Sequence, residues 1–182
     1  MPPISGKVWK FGHNIDTDII IAARHLVLPM EEMKMYAMAS VQPEFAATVK
    51  PCNVMVAGRN FGCGSSREQA PAVLKALGIN TIVAVSFARI FFRNAVNLGL
   101  TVMECPILYD HVERNDIIEL NPVVGKIYLP VKAMTFSATR LPDFLLEIVN
   151  AGGLIAHLTS KVKKKDHRHA DTFGSKINNS LK

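Results

Sequence analysis

Short apolar runs alternate with amphipathic stretches through the middle of the chain. Asn53–Ala57, Thr81–Val85 and Leu100–Met103 are short and apolar, which predicts three buried strands. Between them, Arg67–Leu77 and Phe87–Leu98 carry apolar side chains at helical spacing. Strand, helix, strand, helix and strand in about 50 residues are typical of a mostly parallel α/β sheet.

The flanking segments predict further elements of both kinds. Residues 6–12 are predicted to form an opening strand, and Ile117–Leu129 to form two strands around a turn at Val124-Gly125-Lys126. Leu141–Leu158 is predicted to be helical with a break at Gly152-Gly153. The fold class that these patterns favour is α/β.

The predicted helix at Arg67–Leu77 has an unusual start. Ser66 and Gln69 have the spacing of a capping box, so we expect Ser66 to cap this helix. Pro71 lacks the N–H group that would bond back to the carbonyl of Arg67. We therefore expect a distorted first turn.

Composition and charge indicate one globular unit with a basic end. The chain has 182 residues, of which 49% are hydrophobic and 20% charged, which is enough apolar surface for a substantial core. Residues 161–182 contain seven Lys or Arg and two Asp, a net +5 of the total +6. We predict a domain over residues 1–160 and a partly disordered basic tail over residues 161–182. The domain itself lacks the basic balance expected of a nucleic-acid-binding face.

The cysteines and the hydropathy exclude several classes of protein. Cys52, Cys63 and Cys105 form no C-x-x-C pair, so no disulfide framework and no metal site within this chain is predicted. No apolar run approaches the roughly 18 residues needed to span a bilayer, and the N-terminus lacks the apolar region of a signal peptide. We expect a cytoplasmic protein without a membrane association.

One segment carries the pattern of a binding site. Residues 58–68 combine a glycine-rich turn with the start of a predicted helix, where unpaired N–H groups and the helix dipole favour an anion. Arg67 adds a planar fork that matches a carboxylate, and Ser65 and Ser66 add two hydroxyl groups. The segment is neither a Walker A loop nor a nucleophile elbow. A short Gly-Ser-Ser-Arg string alone is equally consistent with an ordinary helix start.

Three separated motifs together resemble one known family. Gly62-Cys63-Gly64-Ser65-Ser66-Arg67-Glu68, Ser86-Phe87-Ala88-Arg89-Ile90 and Asp16-Thr17-Asp18 resemble the swivelling domain of the aconitase superfamily. The resemblance covers roughly residues 5–160 and is closest to the free-standing small subunits of the isopropylmalate isomerase and homoaconitase type. It implies a swivelling β/β/α domain, in agreement with the predicted α/β centre.

The resemblance also implies an activity and the residues that perform it. The family consists of hydro-lyases that move a hydroxyl group between adjacent carbons of a malate-type acid by dehydration and rehydration. By motif position, Ser65 is expected to act as the base, Arg67 to bind a substrate carboxylate, and Ser66 to contact substrate or cap the helix. Asp18 is expected to belong to the hydrogen-bonded catalytic network, whereas Asp16 is expected to cap a turn.

Cofactor and partner follow from the same resemblance. The family's large subunit holds a [4Fe–4S] cluster on three cysteines, and one iron of that cluster polarises the departing hydroxyl group. This chain is expected to bind no cofactor itself, with Cys63 a bystander thiol, and to be active only with that large subunit. Alone, the chain could self-associate into a homo-oligomer.

The loop after the Asp-Thr-Asp motif indicates which acid is bound. In the family it closes over the variable group of the substrate, and here it reads Arg24-His25-Leu26-Val27-Leu28. The homoaconitase type has an arginine where this chain has Val27, so Val27 and Leu28 favour an alkyl group. We expect isopropylmalate as the substrate, in leucine biosynthesis. Hydro-lyases for 2,3-dimethylmalate, citraconate/methylmalate or homoaconitate remain alternatives, as does an RNA-binding or regulatory module that uses the basic tail.

Overall fold

The computed structural model describes residues 2–163. The strands are β1 to β7 in chain order: Ile4–Lys10, Val54–Ala57, Thr81–Ala84, Thr101–Glu104, Ile117–Asn121, Lys126–Leu129 and Met134–Ser137. The helices are α1 to α6: Thr17–Ile20, Met30–Met33, Phe45–Thr48, Gln69–Ala76, Arg89–Asn97 and Asp143–Asn150. Residues 154–163 are also helical.

All seven strands form one mixed sheet with β1 in the middle. The strand order is β4-β3-β2-β1-β5-β6-β7, in which β1 to β4 are parallel and β5 to β7 pair antiparallel. The predicted α/β class and the parallel strands β2 to β4 are confirmed, but the sheet as a whole is mixed and not mostly parallel, because β5 to β7 continue it antiparallel. The arrangement is a parallel β/α half joined to an antiparallel β half, as the β/β/α resemblance implies.

Each face of the sheet has its own hydrophobic core, because side chains alternate across a strand. In β1, Val8 belongs to a core enclosed by the antiparallel half, and Trp9 to the core under the helices. The two ends of the sheet approach each other where Thr139 N donates to Glu104 O at 2.8 Å. The sheet therefore curls around the smaller core, and its larger core supports the helices.

The expected start of α4 is wrong, and proline explains the difference. The helix begins at Gln69 after Glu68, and no side chain caps it, so Ser66 and Gln69 form no capping box. Pro71 falls in the first helical turn, where backbone N–H groups have no helical acceptor in any case. The chain before Gln69 is thereby left in an irregular conformation that continues the glycine turn.

The remaining boundaries agree closely with the predicted pattern, including the two strands within Ile117–Leu129, and among the strands of the described residues only β7 had no predicted counterpart. The predicted break at Gly152-Gly153 separates α6 from the helical residues 154–163. A Cβ on Gly99 would lie 2.5 Å from the carbonyl carbon of Gly152, so these two chain segments touch through bare backbone. The predicted basic tail begins within that last helix, and residues 164–182 lie outside the described residues.

Thr81, at the start of β3, provides a test of core energetics. Its side chain is buried, and its Oγ1 has no hydrogen-bond partner among the described residues. Because an unpaired buried hydroxyl carries a desolvation penalty, Thr81→Val is expected to raise the free energy of unfolding by about 1 kcal/mol. Urea denaturation measures the free energy of unfolding, and Thr135→Val, at an exposed position of β7, is the control. A loss of stability in Thr81→Val contradicts the assignment.

Candidate active site

The glycine turn lies at the carboxyl edge of the parallel strands, directly after β2. Gly62 and Gly64 have φ angles of +76° and +94°, in the left-handed region that favours glycine. A Cβ on Gly62 would also lie 2.1 Å from the ring of Phe91 in α5. Backbone conformation and packing therefore both require glycine at this position, and the turn has one defined path.

A second loop, which follows β1, runs beside this turn. Gly62 N donates to Ile15 O at 2.7 Å, and Thr17 N donates to Cys63 O at 2.8 Å. These backbone hydrogen bonds extend the pairing of β1 and β2 beyond the sheet. The Asp-Thr-Asp motif and the Gly-Ser-Ser-Arg motif, remote in sequence, are thus held side by side.

Asp16 sets the direction of the chain at the start of α1. Its Oδ1 accepts a hydrogen bond from Ile19 N at 2.7 Å, the geometry of an N-cap. The turn-capping interpretation of Asp16 is thereby confirmed. Because Asp16 starts the helical turn, the side chain of Asp18 extends from its first turn toward the neighbouring loop.

Asp18 and Arg67 form a two-pronged ion pair across the two loops. Arg67 Nη1 donates to Asp18 Oδ1 at 2.7 Å and Nη2 donates to Oδ2 at 3.0 Å. Nη1 also reaches Ile21 O at 3.3 Å, and Asp18 Oδ1 accepts from Ala23 N at 3.2 Å. The bidentate geometry fixes the plane of the guanidinium group.

The ion pair stabilises the charged form of both partners. The hydrogen bond from Arg67 holds the pKa of the Asp18 carboxyl below its ordinary value of 3.8, and the Ala23 N–H contributes in the same direction. The same hydrogen bond raises the pKa of the Arg67 guanidinium. Asp18 is therefore an ionised carboxylate at neutral pH and a poor source or acceptor of protons.

Both serines of the motif are exposed, so the turn is open to solvent. Ser65 N donates to the buried Thr17 Oγ1 at 3.1 Å, and Ser66 O accepts from Asn94 Nδ2 at 3.2 Å. Within residues 2–163, the N–H groups of Ser66 and Arg67 donate to no protein acceptor. An anionic ligand can therefore meet two hydroxyls, two free N–H groups and a guanidinium.

The loop predicted to select the substrate lies beside the ion pair. Val27 is 88% exposed, whereas Leu28 is half-buried and packs against the larger core. Neither lines the adjacent pocket of about 120 Å³, whose wall includes Asp18, His25 and Tyr36. In that wall the rings of His25 and Tyr36 stack with their centroids 3.9 Å apart. The structure thus brings Asp18 and Arg67 together, and leaves Val27 and Leu28 outside that pocket.

The described residues do not provide the ligands of an iron–sulfur cluster. Cys52 is exposed, Cys63 half-buried and Cys105 buried, all as free thiols. No group of three or more His, Cys, Asp or Glu in the described part of the chain could hold a metal ion. The donor set therefore does not suit a [4Fe–4S] cluster, which needs several cysteine thiolates in one place.

Sequence reasoning missed two structural contributors to this site. Thr17 lies between the two aspartates of the motif, and this position is the one sequence signal that points to it. Asn94, in α5, contacts the motif only because α5 packs against the turn, and its spacing along the chain gave no indication.

Comparisons with known proteins agree on the class. Residues 23–107 match the aconitase C-terminal domain family. A crystal structure of 3-isopropylmalate dehydratase from Methanocaldococcus jannaschii superposes with a TM-score of 0.86 at 37% identity, covering 92% of this chain and 99% of that one. The fold and the sequence therefore define a domain of the aconitase superfamily.

Individual relatives identify the family within that class. The chain is 44% identical over 161 residues to the 3-isopropylmalate dehydratase small subunit of Halothermothrix orenii, covering 88% of this chain and 98% of the relative. It is 46% identical over 160 residues to the isopropylmalate/citramalate isomerase small subunit of M. jannaschii, covering 87% and 95%. The chain belongs to the 3-isopropylmalate dehydratase small-subunit family.

No helix among the described residues combines the length and the hydropathy required to cross a membrane.

The ion pair predicts an acid-dependent loss of stability. The pKa of the Asp18 carboxyl is lower in the folded state than in the unfolded state. The contribution of the ion pair to the stability of the fold is therefore complete above the unfolded pKa, and it is lost as the pH falls through the folded pKa. Asp18→Asn is therefore expected to be less stable than wild type at pH 7, with a difference that starts to shrink as the pH falls below the ordinary carboxyl pKa of 3.8 and is lost at still lower pH. Urea unfolding across pH measures this.

Asp143→Asn is the control, because Asp143 pairs with Arg140 three residues away in a more exposed position. We expect a smaller effect from that variant, since solvent screens such a pair. A difference between wild type and Asp18→Asn that grows toward acid contradicts the sign of the pKa shift.

Proposed function

We propose that this chain is the small subunit of a 3-isopropylmalate dehydratase, a hydro-lyase that interconverts hydroxy acids of the malate type. The observation that carries the proposal is the Asp18–Arg67 ion pair next to the exposed Ser65 on a glycine turn. Family membership supports the same activity. The chain acts in complex with a large subunit, in the cytoplasm.

Arg67 binds a carboxylate of the substrate. A guanidinium has five N–H donors, and Asp18 and Ile21 O engage both donors of Nη1 and one of Nη2. The Nε–H and the second Nη2–H are left, and these two lie parallel on one edge of the group. That edge matches a carboxylate in a second bidentate pair. Asp18 therefore orients Arg67 and leaves its binding edge available.

Ser65 is the base that removes a proton from the carbon next to that carboxylate. Serine oxygen is a weak base until its negative charge is stabilised, and Arg67 and the free N–H groups of the turn supply positive potential. The proton moves from carbon to the alkoxide form of Ser65 Oγ, which becomes a neutral hydroxyl. The C–H electron pair forms the double bond, and the hydroxyl leaves the adjacent carbon as hydroxide with the C–O electron pair. Rehydration in the opposite sense returns the hydroxyl group to the other carbon.

The departing hydroxyl requires a Lewis acid, and residues 2–163 include no cluster of side chains that could hold a metal ion. We assign it to the large subunit, which would hold the [4Fe–4S] cluster of the family. The exposure of Ser65 and Ser66 supports this assignment, since a partner can approach the turn directly and exclude water from it.

Isopropylmalate is the substrate that the loop chemistry favours. Val27, at the exposed tip of the loop, offers apolar surface to an alkyl group, and no cationic side chain stands at that position for an additional carboxylate. One relative is named an isopropylmalate/citramalate isomerase, which makes a methylated malate the second candidate. A substrate panel of the hydroxy acids isopropylmalate, citramalate and homocitrate, assayed with the reconstituted complex, distinguishes these acids.

For that panel, we expect the highest kcat/KM with isopropylmalate, because each methylene placed in an apolar environment favours binding by about 0.8 kcal/mol. Homocitrate is expected to be the poorest of the three, because its extra carboxylate would be desolvated without a partner at Val27. The measurement is the absorbance of the unsaturated acid that forms during turnover. Preference for homocitrate would contradict the assignment of the loop.

Removal of the serine hydroxyl tests the catalytic assignment. Ser65→Ala in the reconstituted complex is expected to lower kcat by about 10³-fold, the size of a lost general base, with assembly unchanged. Ser137→Ala, which removes an exposed hydroxyl in β7, is the matched control and is expected to retain wild-type kcat. A near-normal kcat for Ser65→Ala shows that another group is the base.

A further inference from the structure

Thr17 makes a contact that neither the motif resemblance nor the proposed chemistry uses. Its side chain is 1% exposed, and its Oγ1 accepts the hydrogen bond from Ser65 N at 3.1 Å. Its own backbone N–H donates to Cys63 O at 2.8 Å. One residue thus contacts the turn at two points, at Cys63, two residues before the proposed base, and at Ser65 itself.

The position of Thr17 links the two sides of the site. It is the first residue of α1, and the next residue is Asp18, whose carboxylate holds Arg67. Through its hydroxyl it also holds the backbone of Ser65. Thr17 therefore stands next to the residue that holds Arg67 and also contacts the backbone of Ser65.

At Gly64 the turn passes close to the Thr17 hydroxyl. A Cβ on Gly64 would lie 3.3 Å from Thr17 Oγ1, closer than side-chain carbons normally approach. Glycine at position 64 thereby lets the turn come close enough for the Ser65 N–H to reach the oxygen. A methyl group in place of the hydroxyl would fill the same space and accept no hydrogen bond.

We propose that Thr17 is a positioning residue, which fixes the backbone of Ser65 so that its Oγ faces the carbon held by Arg67. This inference rests on the proposed function of Ser65 as base. Because Ser65 N is engaged by Thr17 Oγ1, the N–H groups that stabilise negative charge in the turn are those of Ser66 and Arg67. Thr17 orients the base, and it does not touch the reacting atoms.

The test compares Thr17→Val, which keeps the shape and loses the acceptor, with Thr17→Ser, which keeps the acceptor. Each is assayed in complex with the large subunit. We expect kcat to fall about 100-fold in Thr17→Val, the effect of a misplacement of about 1 Å, with KM changed less than about 3-fold. Thr17→Ser is expected to recover kcat to within about 3-fold of wild type, because its hydroxyl can accept the same hydrogen bond.

Thr81→Val is the matched control, since Thr81 is equally buried and has no hydrogen bond to the site. It is expected to keep wild-type kcat. Equal losses in Thr17→Val and Thr17→Ser, or wild-type kcat in Thr17→Val, overturn the inference.

Hydrogen exchange of the Ser65 amide provides a readout that does not depend on turnover. Loss of the acceptor is expected to speed exchange of this amide at least about 10-fold in Thr17→Val, since local opening is then easier, and Thr17→Ser is expected to restore protection. Unchanged exchange in Thr17→Val overturns the inference even if activity falls. If Thr17→Val does not fold, the same comparison is made with Thr17→Ala.

The failure of the proposed function has a different signature. In that case the wild-type complex dehydrates none of the three acids, whereas failure of the Thr17 inference leaves wild-type turnover intact.

Discussion

The two-pronged contact between Asp18 and Arg67 is the interaction on which the candidate site depends. It joins the loop after β1 to the loop after β2, and it fixes the plane of the guanidinium while leaving the Nε–H edge unpaired by Asp18. The pair is ionised at neutral pH because each partner stabilises the charge of the other. Without the carboxylate, the guanidinium would lose its fixed plane, and a substrate carboxylate would have no preformed partner.

The sheet makes this contact possible. β1 and β2 are neighbouring parallel strands, so their carboxyl ends open at the same edge, where open α/β sheets bind ligands. Residues 13–18 and 58–67 continue side by side from those ends through backbone hydrogen bonds. The antiparallel half contributes to the site only indirectly, by closing the smaller core and holding β1 in the centre of the sheet.

The amino-acid sequence predicts the parts of this fold that depend on the spacing of hydrophobic residues. Strands β2 to β4 are buried on both faces, so their sequences are continuous apolar runs that predict a strand. In β7 only Phe136 is buried, so the alternation of apolar and polar residues is too weak to predict this strand. The start of α4 was misplaced because Ser66 matched a capping pattern that Pro71 and the glycine turn override. Asn94 could not be predicted as part of the site, because it contacts the motif only through the packing of α5 against the turn.

A double-mutant cycle on Asp18 and Arg67 tests the central contact most directly. The variants Asp18→Asn, Arg67→Lys and their combination would be assayed for kcat/KM on isopropylmalate, in complex with the large subunit. If the carboxylate acts by orienting the guanidinium, the double variant loses little more activity than the worse single variant. Losses that add across the two positions would show that Asp18 and Arg67 act independently, and would contradict the account.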